Sequence, residues 1–279
     1  MTKTELHKLR EDTRSLLQSK FGNIVFEEIP HRYTIDGVEY TPVSNIISQY
    51  ENPFDEERIS RGYAERNGLS QEEVLTSWKW TNRCAIIMGS RAHTFGESYT
   101  NLMCNHKELI CDQNKPQYIE EENWLVPTFP QEFAIKKFYD EIHKSLHPIG
   151  AEFKLSTQYI DNAKPICGTT DILFYYDAPN PKDSGFVVGD WKSNRELTKD
   201  FIRSKGIMML PPFDNMYDEA LSHYYIQFNL YQRMLESVGL NIIARRLIHI
   251  KGDGTYKTYT IPKIDDNIID QVIMNKRSQ

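Results

Sequence analysis

The stretches GTTDILF at residues 168–174 and VGDWK at residues 188–192 decide how the rest of this chain is interpreted. Both are rich in apolar strand formers, and the turn-forming segment 179–185 lies between them, so the pattern predicts two neighbouring strands. If the strands pair as an antiparallel hairpin, the start of the first lies beside the end of the second. Asp171 is then close to Asp190 and Lys192, and the last two share a face because side chains alternate along a strand.

This group of side chains suits metal-dependent hydrolysis of a phosphodiester. Two close carboxylates repel each other unless a cation lies between them, and hard oxygen ligands favour Mg²⁺ or Mn²⁺. Such an ion activates a bound water, and the ammonium of Lys192 can orient that water and stabilise developing charge. The alternative is a solvated Asp–Lys pair on a strand edge. The apolar neighbours Val187, Val188 and Trp191 favour a functional role, because a charge beside a buried strand is costly.

Upstream, Gly89, His93 and Glu97 recur every four residues and share one face of a helix predicted over about 83–103. A glycine inside a helix costs about 1 kcal/mol relative to alanine, which suggests close approach of another backbone or of substrate. His93 is either a further metal ligand or an ordinary core or surface histidine. Glu97 either supports the site indirectly or is a polar helix residue.

Downstream, a helix predicted over about 217–238 carries Tyr224, Gln227 and Tyr231 on one stripe. These residues either contact the DNA backbone and support the lysine strand or pack in the core. A basic run follows the lysine strand, and it is either a solvated face or a channel that tracks phosphates. Its members are Lys192, Arg195, Lys199, Arg203 and Lys205.

The remaining pattern predicts one α/β domain over residues 1–279, with a central mixed sheet flanked by helices. Residues 1–40 form a helix and hairpin extension, and 41–262 form the core. The other predicted elements are a helix over 3–20, a hairpin over 24–40 with its turn at Asp36-Gly37, a short helix capped by Ser44, a helix from the Ser70–Glu73 capping box through Trp80, an irregular segment around 105–130, a helix over 131–147, and strands over 152–160, 169–176, 186–193, 241–250 and 256–261.

Composition narrows the class of protein. The 279 residues are 39% hydrophobic and 26% charged, as is ordinary for a globular protein. The formal net charge of −6 disfavours a protein that coats nucleic acid, but it does not disfavour a nuclease. The four cysteines form no C-x-x-C pair, so we expect reduced and mostly buried thiols. No signal segment or apolar span is evident, which indicates a cytoplasmic protein with no membrane partner. The absence of a Walker A motif predicts no use of ATP.

Five motifs together resemble the PD-(D/E)XK nuclease superfamily, in particular its RecB-type branch. Phage-encoded exonucleases and the mitochondrial genome maintenance exonuclease are also similar. The resemblance runs over about residues 41–262 and begins at PVSNII, residues 42–47. In family order the motifs are Gly89 with His93, Glu152 before the first core strand, Gly168 with Asp171, Asp190-Trp191-Lys192, and Gln227 with Tyr231.

The resemblance implies a restriction-endonuclease-like core that hydrolyses DNA to 5′-phosphate and 3′-hydroxyl products, with Mg²⁺ or Mn²⁺ as cofactor. Lys192 is the implied catalytic lysine, and Glu152 is an acidic helper that acts through water. Gln227 and Tyr231 are implied to organise the site or contact DNA. The implied metal ligands are His93, Asp171, Asp190 and the backbone carbonyl of Trp191.

Several RecB-type relatives hold an iron–sulfur cluster with three cysteines near the C-terminus. No cysteine follows Cys167 here, so we expect no cluster. The leading hypothesis is a phage or bacterial DNA exonuclease in recombination, repair or replication, with a single-strand-annealing or recombination protein as a candidate partner. The alternatives are a structure-specific endonuclease and a DNA-binding subunit with a relic metal site.

Three other features admit two interpretations each. His143 and His147 either share a metal or belong to a polar helix face, and the latter is favoured because the Glu of H-E-x-x-H is missing. Trp78-Lys79-Trp80 either stacks on unpaired bases or buries at least one indole. The apolar loop 206–215 either wedges or clamps DNA or only covers the core.

Overall fold

The computed structural model describes residues 1–27, 29–104 and 126–274, together with the backbone of 118–119 and 124–125. Most of the predicted irregular segment around 105–130, with Cys111, therefore lies outside the described residues. The helices are α1 Lys3–Phe21, α2 Val43–Ile47, α3 Glu56–Asn67, α4 Gln71–Met103, α5 Pro130–Glu141, α6 Asp200–Lys205, α7 Ala220–Glu236 and α8 Asp266–Ile273. The strands are β1 Ile24–Glu27, β2 Arg32–Ile35, β3 Val38–Pro42, β4 Tyr118–Ile119, β5 Trp124–Leu125, β6 Leu146–Ser156, β7 Ile166–Tyr176, β8 Gly185–Lys192, β9 Ile242–Ile250 and β10 Tyr256–Thr260.

A mixed sheet forms the centre of the protein, and helices flank it, as the sequence predicts. Its strand order is β1-β2-β3-β7-β8-β9-β10, and β6 pairs with the other side of β7. Strand β7 runs antiparallel to both of its neighbours β6 and β8, whereas β9 runs parallel to β8 and β3 runs parallel to β7. The Asp171 and Lys192 strands pair antiparallel, which is the condition on which their expected proximity depended.

The sheet opens in the middle of β7. Strand β6 pairs with nearly all of β7 on one side, from Cys167 to Tyr176. On the other side, β7 pairs with β3 only at Ile166 and Cys167, and with β8 only from Ile172 onward. Among the strands that the structure describes, none pairs with residues 168–171 on that side, and a gap separates the end of β3 from the end of β8.

Side chains alternate between the two faces of the sheet along the central strands, and this alternation places both aspartates on one face. Leu173 of β7 belongs to the apolar cluster that includes α7, whereas Ile172 belongs to the cluster under α4 and α5. Because successive side chains point to opposite faces, Asp171 projects to the same face as Leu173. In β8, Asp190 likewise shares the face of Val188, which packs in the α7 cluster.

Local sequence signals account for the ends of several elements. Thr2 with Glu5 and Ser70 with Glu73 form capping boxes at the starts of α1 and α4. Asp36 and Gly37 both have positive φ, 50° and 79°, as the predicted type I′ turn requires. The hairpin prediction nevertheless missed β1 as a third strand, which pairs with β2.

Four boundaries differ from the predictions. Helix α4 is one continuous helix over Gln71–Met103, because no glycine or proline interrupts it near residue 81. Ser44 lies inside α2 and does not cap it, since the N-cap position is Pro42. Strand β6 begins at Leu146, so Glu152 lies within that strand.

The helix predicted over 131–147 ends instead at Glu141. A longer helix would place His147 in helical conformation directly before Pro148, which is sterically disfavoured. His147 pairs with Tyr175 in the sheet, and His143 lies before β6. The favoured interpretation of these histidines as a polar helix face is therefore wrong. The pattern also missed α3, α6 and α8.

Candidate active site

Three carboxylates lie at one level across β6, β7 and β8. Ile172 pairs with Gly189, so the next residues, Asp171 and Asp190, lie opposite each other at the edge of the gap. Glu152 falls between the residues that pair with Ile172 and Thr170, which places it opposite Asp171. The arrangement concentrates negative charge where the sheet opens.

His93 reaches this level from α4. Its Nδ1 atom lies 3.1 Å from Oδ2 of Asp171. One ligand atom each from His93, Asp171 and Asp190 lies within 4.8 Å of the others. An imidazole nitrogen and two carboxylates therefore converge as a set that can hold a metal ion.

Lys192 lies beside Asp190 on the same strand face. Its Nζ atom is 2.8 Å from Oδ2 of Asp190, and its side chain is 14% exposed. The same ammonium lies 4.8 Å above the ring centre of Tyr224. The lysine is thus held between a carboxylate and an aromatic face and still reaches the cleft.

The two aspartates differ in their hydrogen bonding. Asp171 accepts a hydrogen bond of 2.9 Å from the backbone N–H of Trp191. Asp190 is 1% exposed, and apart from its ion pair with Lys192 neither of its oxygens has a hydrogen-bond partner among the described residues. A buried carboxylate with open lone pairs is costly, and a cation would relieve that cost.

Burial and mutual repulsion separate the pKa values of these groups. Burial and the charge of Asp171 raise the pKa of Asp190 well above its ordinary value. Burial opposes ionisation of Asp171, but the positive charges of His93 and Lys192 hold the pKa of that carboxyl below its usual range. Burial likewise opposes the charge on Lys192, and the two aspartates outweigh it, so the pKa of the ammonium is raised.

His93 responds to the same neighbours. Desolvation by the packed cleft lowers the pKa of an imidazole, but the charge and hydrogen bond of Asp171 outweigh it and raise the pKa of His93. The side chain is 32% exposed, so water reaches one part of the ring while the cleft surrounds the rest. Neutral imidazole is the metal-binding form, and binding of a cation would displace this proton.

The donor set fits a divalent cation. The two carboxylates suit Mg²⁺ or Mn²⁺, and the imidazole is a good ligand for iron and later transition metals. The observation that favours a cation here is that, within the described part of the chain, Lys192 is the sole partner of the buried Asp190 carboxylate. The carbonyl of Trp191 as a further ligand stays a prediction.

Glu152 lies at the mouth of the cleft in an unusual conformation. Its φ angle is 55°, a left-handed value rare for residues other than glycine, and it interrupts the pairing of β6 with β7. Desolvation by the cleft walls, followed by the charges of Asp171 and Glu97, raises the pKa of Glu152. The side chain is also exposed to solvent, as a group acting through water requires.

Tyr231 closes the α7 side of the gap. It is buried, and its hydroxyl accepts a hydrogen bond of 3.0 Å from Nε2 of Gln227. A Cβ atom on Gly168 would lie 2.6 Å from the Tyr231 ring. The glycine that precedes Asp171 is therefore needed for α7 to approach the sheet.

His249, which the sequence pattern missed, holds the loop after Lys192 together with Tyr224. Nε2 of His249 donates a hydrogen bond of 2.6 Å to the backbone carbonyl of Asn194. The hydroxyl of Tyr224 donates to Oδ1 of Asn194 at 2.5 Å. The available signal was a histidine within the apolar end of a strand, Leu247-Ile248-His249-Ile250, where a buried ring needs a hydrogen-bond partner.

The predicted basic run is partly neutralised. Arg203 forms an ion pair of 2.7 Å with buried Glu219, whereas the side chains of Arg195 and Lys199 are exposed. On α4, a Cβ atom on Gly89 would lie 3.4 Å from Oγ of Ser193, so a side chain of the loop after β8 approaches this glycine.

Three further sequence features are now located. Trp78 is half-buried near Phe54, while Trp80 is 64% exposed, so neither indole is fully buried. In the loop 206–215, Met209 and Phe213 are buried, which supports a core-covering role. Among the described cysteines, two are buried and Cys84 is exposed.

Comparisons with known proteins assign no family. No family model matches the sequence, and no curated protein matches it. The solved structures that match include "Crystal structure of SSO0001", with 13% identity over 94% of this chain and 83% of that chain. The TM-score of 0.32 is too low for this likeness to carry an argument about fold or function. No helix in the described part of the chain has the length and apolar character needed to span a membrane.

Proposed function

We propose that this chain is a metal-dependent deoxyribonuclease, an exonuclease of the PD-(D/E)XK type with a restriction-endonuclease-like core. The observation that carries the proposal is the convergence of His93, Asp171 and Asp190 around one point, with Lys192 beside Asp190. The proximity of these four residues depends on the fold, because His93 comes from a helix far upstream of the strands that carry the other three.

The arrangement of the sheet supports the proposed core. The three antiparallel strands carry Glu152, both aspartates and Lys192, and α4 adds His93 over their open level. Helix α7 packs on the same face as the aspartates and presents Tyr231 and Gln227. The proposed machinery thus occupies one cleft with both walls built by regular structure.

The chemistry assigns a task to each group. A bound Mg²⁺ or Mn²⁺ would supply an activated water and a positive charge opposite the phosphate. His93, Asp171 and Asp190 would hold that ion, and Lys192 would orient the attacking water and stabilise negative charge on the phosphoryl oxygens. Glu152, at the mouth of the cleft, would accept a proton through water. The expected products carry 5′-phosphate and 3′-hydroxyl groups.

A role in DNA recombination, repair or replication in a phage or bacterial cytoplasm belongs to the same proposal, as does a single-strand-annealing or recombination protein as partner. These parts rest on the resemblance of the motifs. The cleft geometry is what supports the hydrolytic activity itself.

The decisive experiment measures release of nucleotides from end-labelled linear DNA with Mg²⁺ or Mn²⁺. Lys192→Ala should lower the rate at least about a hundredfold and weaken DNA binding far less, because the lysine acts mainly on charge that develops in the transition state. Lys182→Ala is the matched control, since this exposed lysine lies in the turn joining β7 and β8, away from the cleft. Cleavage by Lys192→Ala at the wild-type rate would contradict the proposal.

Two alternatives have distinct outcomes. Cleavage of circular single-stranded DNA, which has no end, would indicate an endonuclease. Binding of DNA without cleavage under either metal would indicate a non-catalytic DNA-binding subunit.

A further inference from the structure

A cavity of about 530 Å³ fills the gap where the sheet opens beside Lys192. Gly168 and Thr169, which pair with no described strand on this side, line it. Lys192 and residues of α7 form one wall, and the β1–β3 strands with α2 form the other. The cavity therefore borders the candidate active site, although none of the three candidate metal ligands lines it.

An aromatic cluster from the β1–β2 region faces this cavity. The ring centres of Phe26 and Tyr33 are 4.6 Å apart, and that of His31 lies 5.0 Å from Phe26. The hydroxyl of Tyr33 is 3.2 Å from Oγ1 of Thr169, which fixes the cluster to β7. Phe26 is only half-buried, so part of its ring surface is available to a ligand.

A hydrogen-bonded network supports another part of the wall. His223 lines the cavity, and its Nε2 lies 2.8 Å from Oδ1 of Asp218. The backbone N–H of Asn52 donates to Oδ2 of the same aspartate at 2.7 Å. The segment after α2 is thus tied to the start of α7, and the cavity is a preformed feature.

A second groove shares part of its lining with the cavity. A space of about 840 Å³ lies between α1 and β6, and both spaces are lined by Glu152 and Lys154. Arg14 of α1 also lines this second groove. The shared residues place Glu152 and Lys154 between the first cavity and the groove beside α1.

We infer that the cavity receives the terminal nucleotide of an unpaired DNA strand, with its base against Phe26 and its phosphate toward Lys192. This inference rests on the proposed function and adds the substrate class. Aromatic rings can stack on a base only when its face is accessible, as in a single strand or a strand end. The volume suits a small ligand of nucleotide size, and the lysines at its border complement phosphate charge.

The test uses single-stranded oligonucleotides that carry 2-aminopurine at the 3′ end, at the 5′ end or in the interior. Binding is measured in EDTA, so that no cleavage occurs, and fluorescence reports stacking of the labelled base. With wild-type protein, one end label should be quenched strongly and the interior label much less. Which end responds identifies the polarity, and a blunt duplex with the same end label should show little quenching.

Variants of β1 distinguish a loss of base stacking from a loss of folding. Phe26→Leu should abolish the end-label quenching and weaken binding about tenfold, because base–aromatic stacking is lost. Phe26→Tyr keeps a ring and should retain both. Val25→Ala is the matched control, since Val25 is the neighbouring residue of β1, is exposed and does not line the cavity.

Equal quenching of end and interior labels on wild-type protein would overturn the inference without any variant. Unchanged quenching in Phe26→Leu would also contradict it. End-specific quenching without cleavage under Mg²⁺ or Mn²⁺ would leave the cavity assignment standing and refute the proposed nuclease activity. Cleavage without end-specific quenching would support the proposed nuclease activity and refute the cavity assignment.

Discussion

The indole of Trp191 packs directly against Gly96 of α4, where an added Cβ atom would lie 2.5 Å from Nε1. Trp191 is fully buried and separates Asp190 from Lys192 in the sequence. The absence of a side chain at one position of α4 therefore sets how closely this helix, with His93, approaches the strand that carries the lysine.

Gly96→Ala should destabilise the protein by about 1–3 kcal/mol, because the new methyl group overpacks a rigid indole. Gly89→Ala on the same helix is the control: its Cβ would be in ordinary contact with Ser193, and alanine favours a helix by up to about 1 kcal/mol. Denaturant unfolding measures both. Equal stability changes for the two variants would show that the indole adjusts freely.

Divalent metal should stabilise the folded protein. Ions that bind only the native state raise its unfolding free energy by about 2.7 kcal/mol at a hundred times the dissociation constant. Thermal unfolding with increasing Mn²⁺ or Mg²⁺ should therefore show a rising Tm for the wild type. Asp190→Asn should lose this rise, since it removes one ligand charge. The exposed Asp161→Asn is the control, and an unchanged rise in Asp190→Asn would place the metal elsewhere.

His249 should act as a positioning residue for the lysine. Its hydrogen bond holds the Asn194 carbonyl, and Asn194 accepts from Tyr224, whose ring lies under Lys192. His249→Ala should lower kcat on the order of tenfold or more with little change in KM, because a misplaced lysine affects the transition state. His249→Gln keeps an N–H donor and should restore part of kcat. A change confined to KM would contradict this role.

Acid should lower the free energy of unfolding by protonating Asp218, which holds two segments of the cavity wall together. Burial acts to raise the pKa of Asp218, but hydrogen bonds from Asn52 and His223 hold it below its usual range. A depressed carboxyl pKa stabilises the fold above the ordinary value of about 3.9, and this stability is lost as pH falls through the folded pKa. Asp218→Asn should therefore flatten the decline in unfolding free energy between about pH 5 and pH 3. The exposed Asp214→Asn should follow the wild-type curve.

The local sequence pattern was sufficient to predict the strands and the helix that carry the candidate site residues. Alternation in the two stretches around Asp171 and Lys192 predicted neighbouring strands, and the turn between them predicted their antiparallel pairing, which β7 and β8 show. The four-residue spacing of His93 and Glu97 placed them on one helix, as in α4. These predictions succeed because side-chain period and turn chemistry depend on a few adjacent residues.

Glu152 shows where local pattern was insufficient. Its strand was predicted to begin at this residue, whereas β6 begins at Leu146 and Glu152 interrupts the strand with a positive φ angle. The backbone conformation follows from how β6 pairs along β7, with a register shift between Pro148 and Gly150, and no adjacent residue signals it.

The sequence by itself therefore determined which residues carry charge and which faces of their strands and helices they occupy. Only the tertiary structure decided that β3 pairs with Ile166 and Cys167 and so leaves β7 open at residues 168–171. That opening, the aromatic cavity inside it and the contact of His249 with Asn194 all depend on pairing between segments distant in the chain. Such pairing is selected by the packing of the whole sheet, because strands with similar local patterns can pair in many orders and burial of both apolar faces favours one.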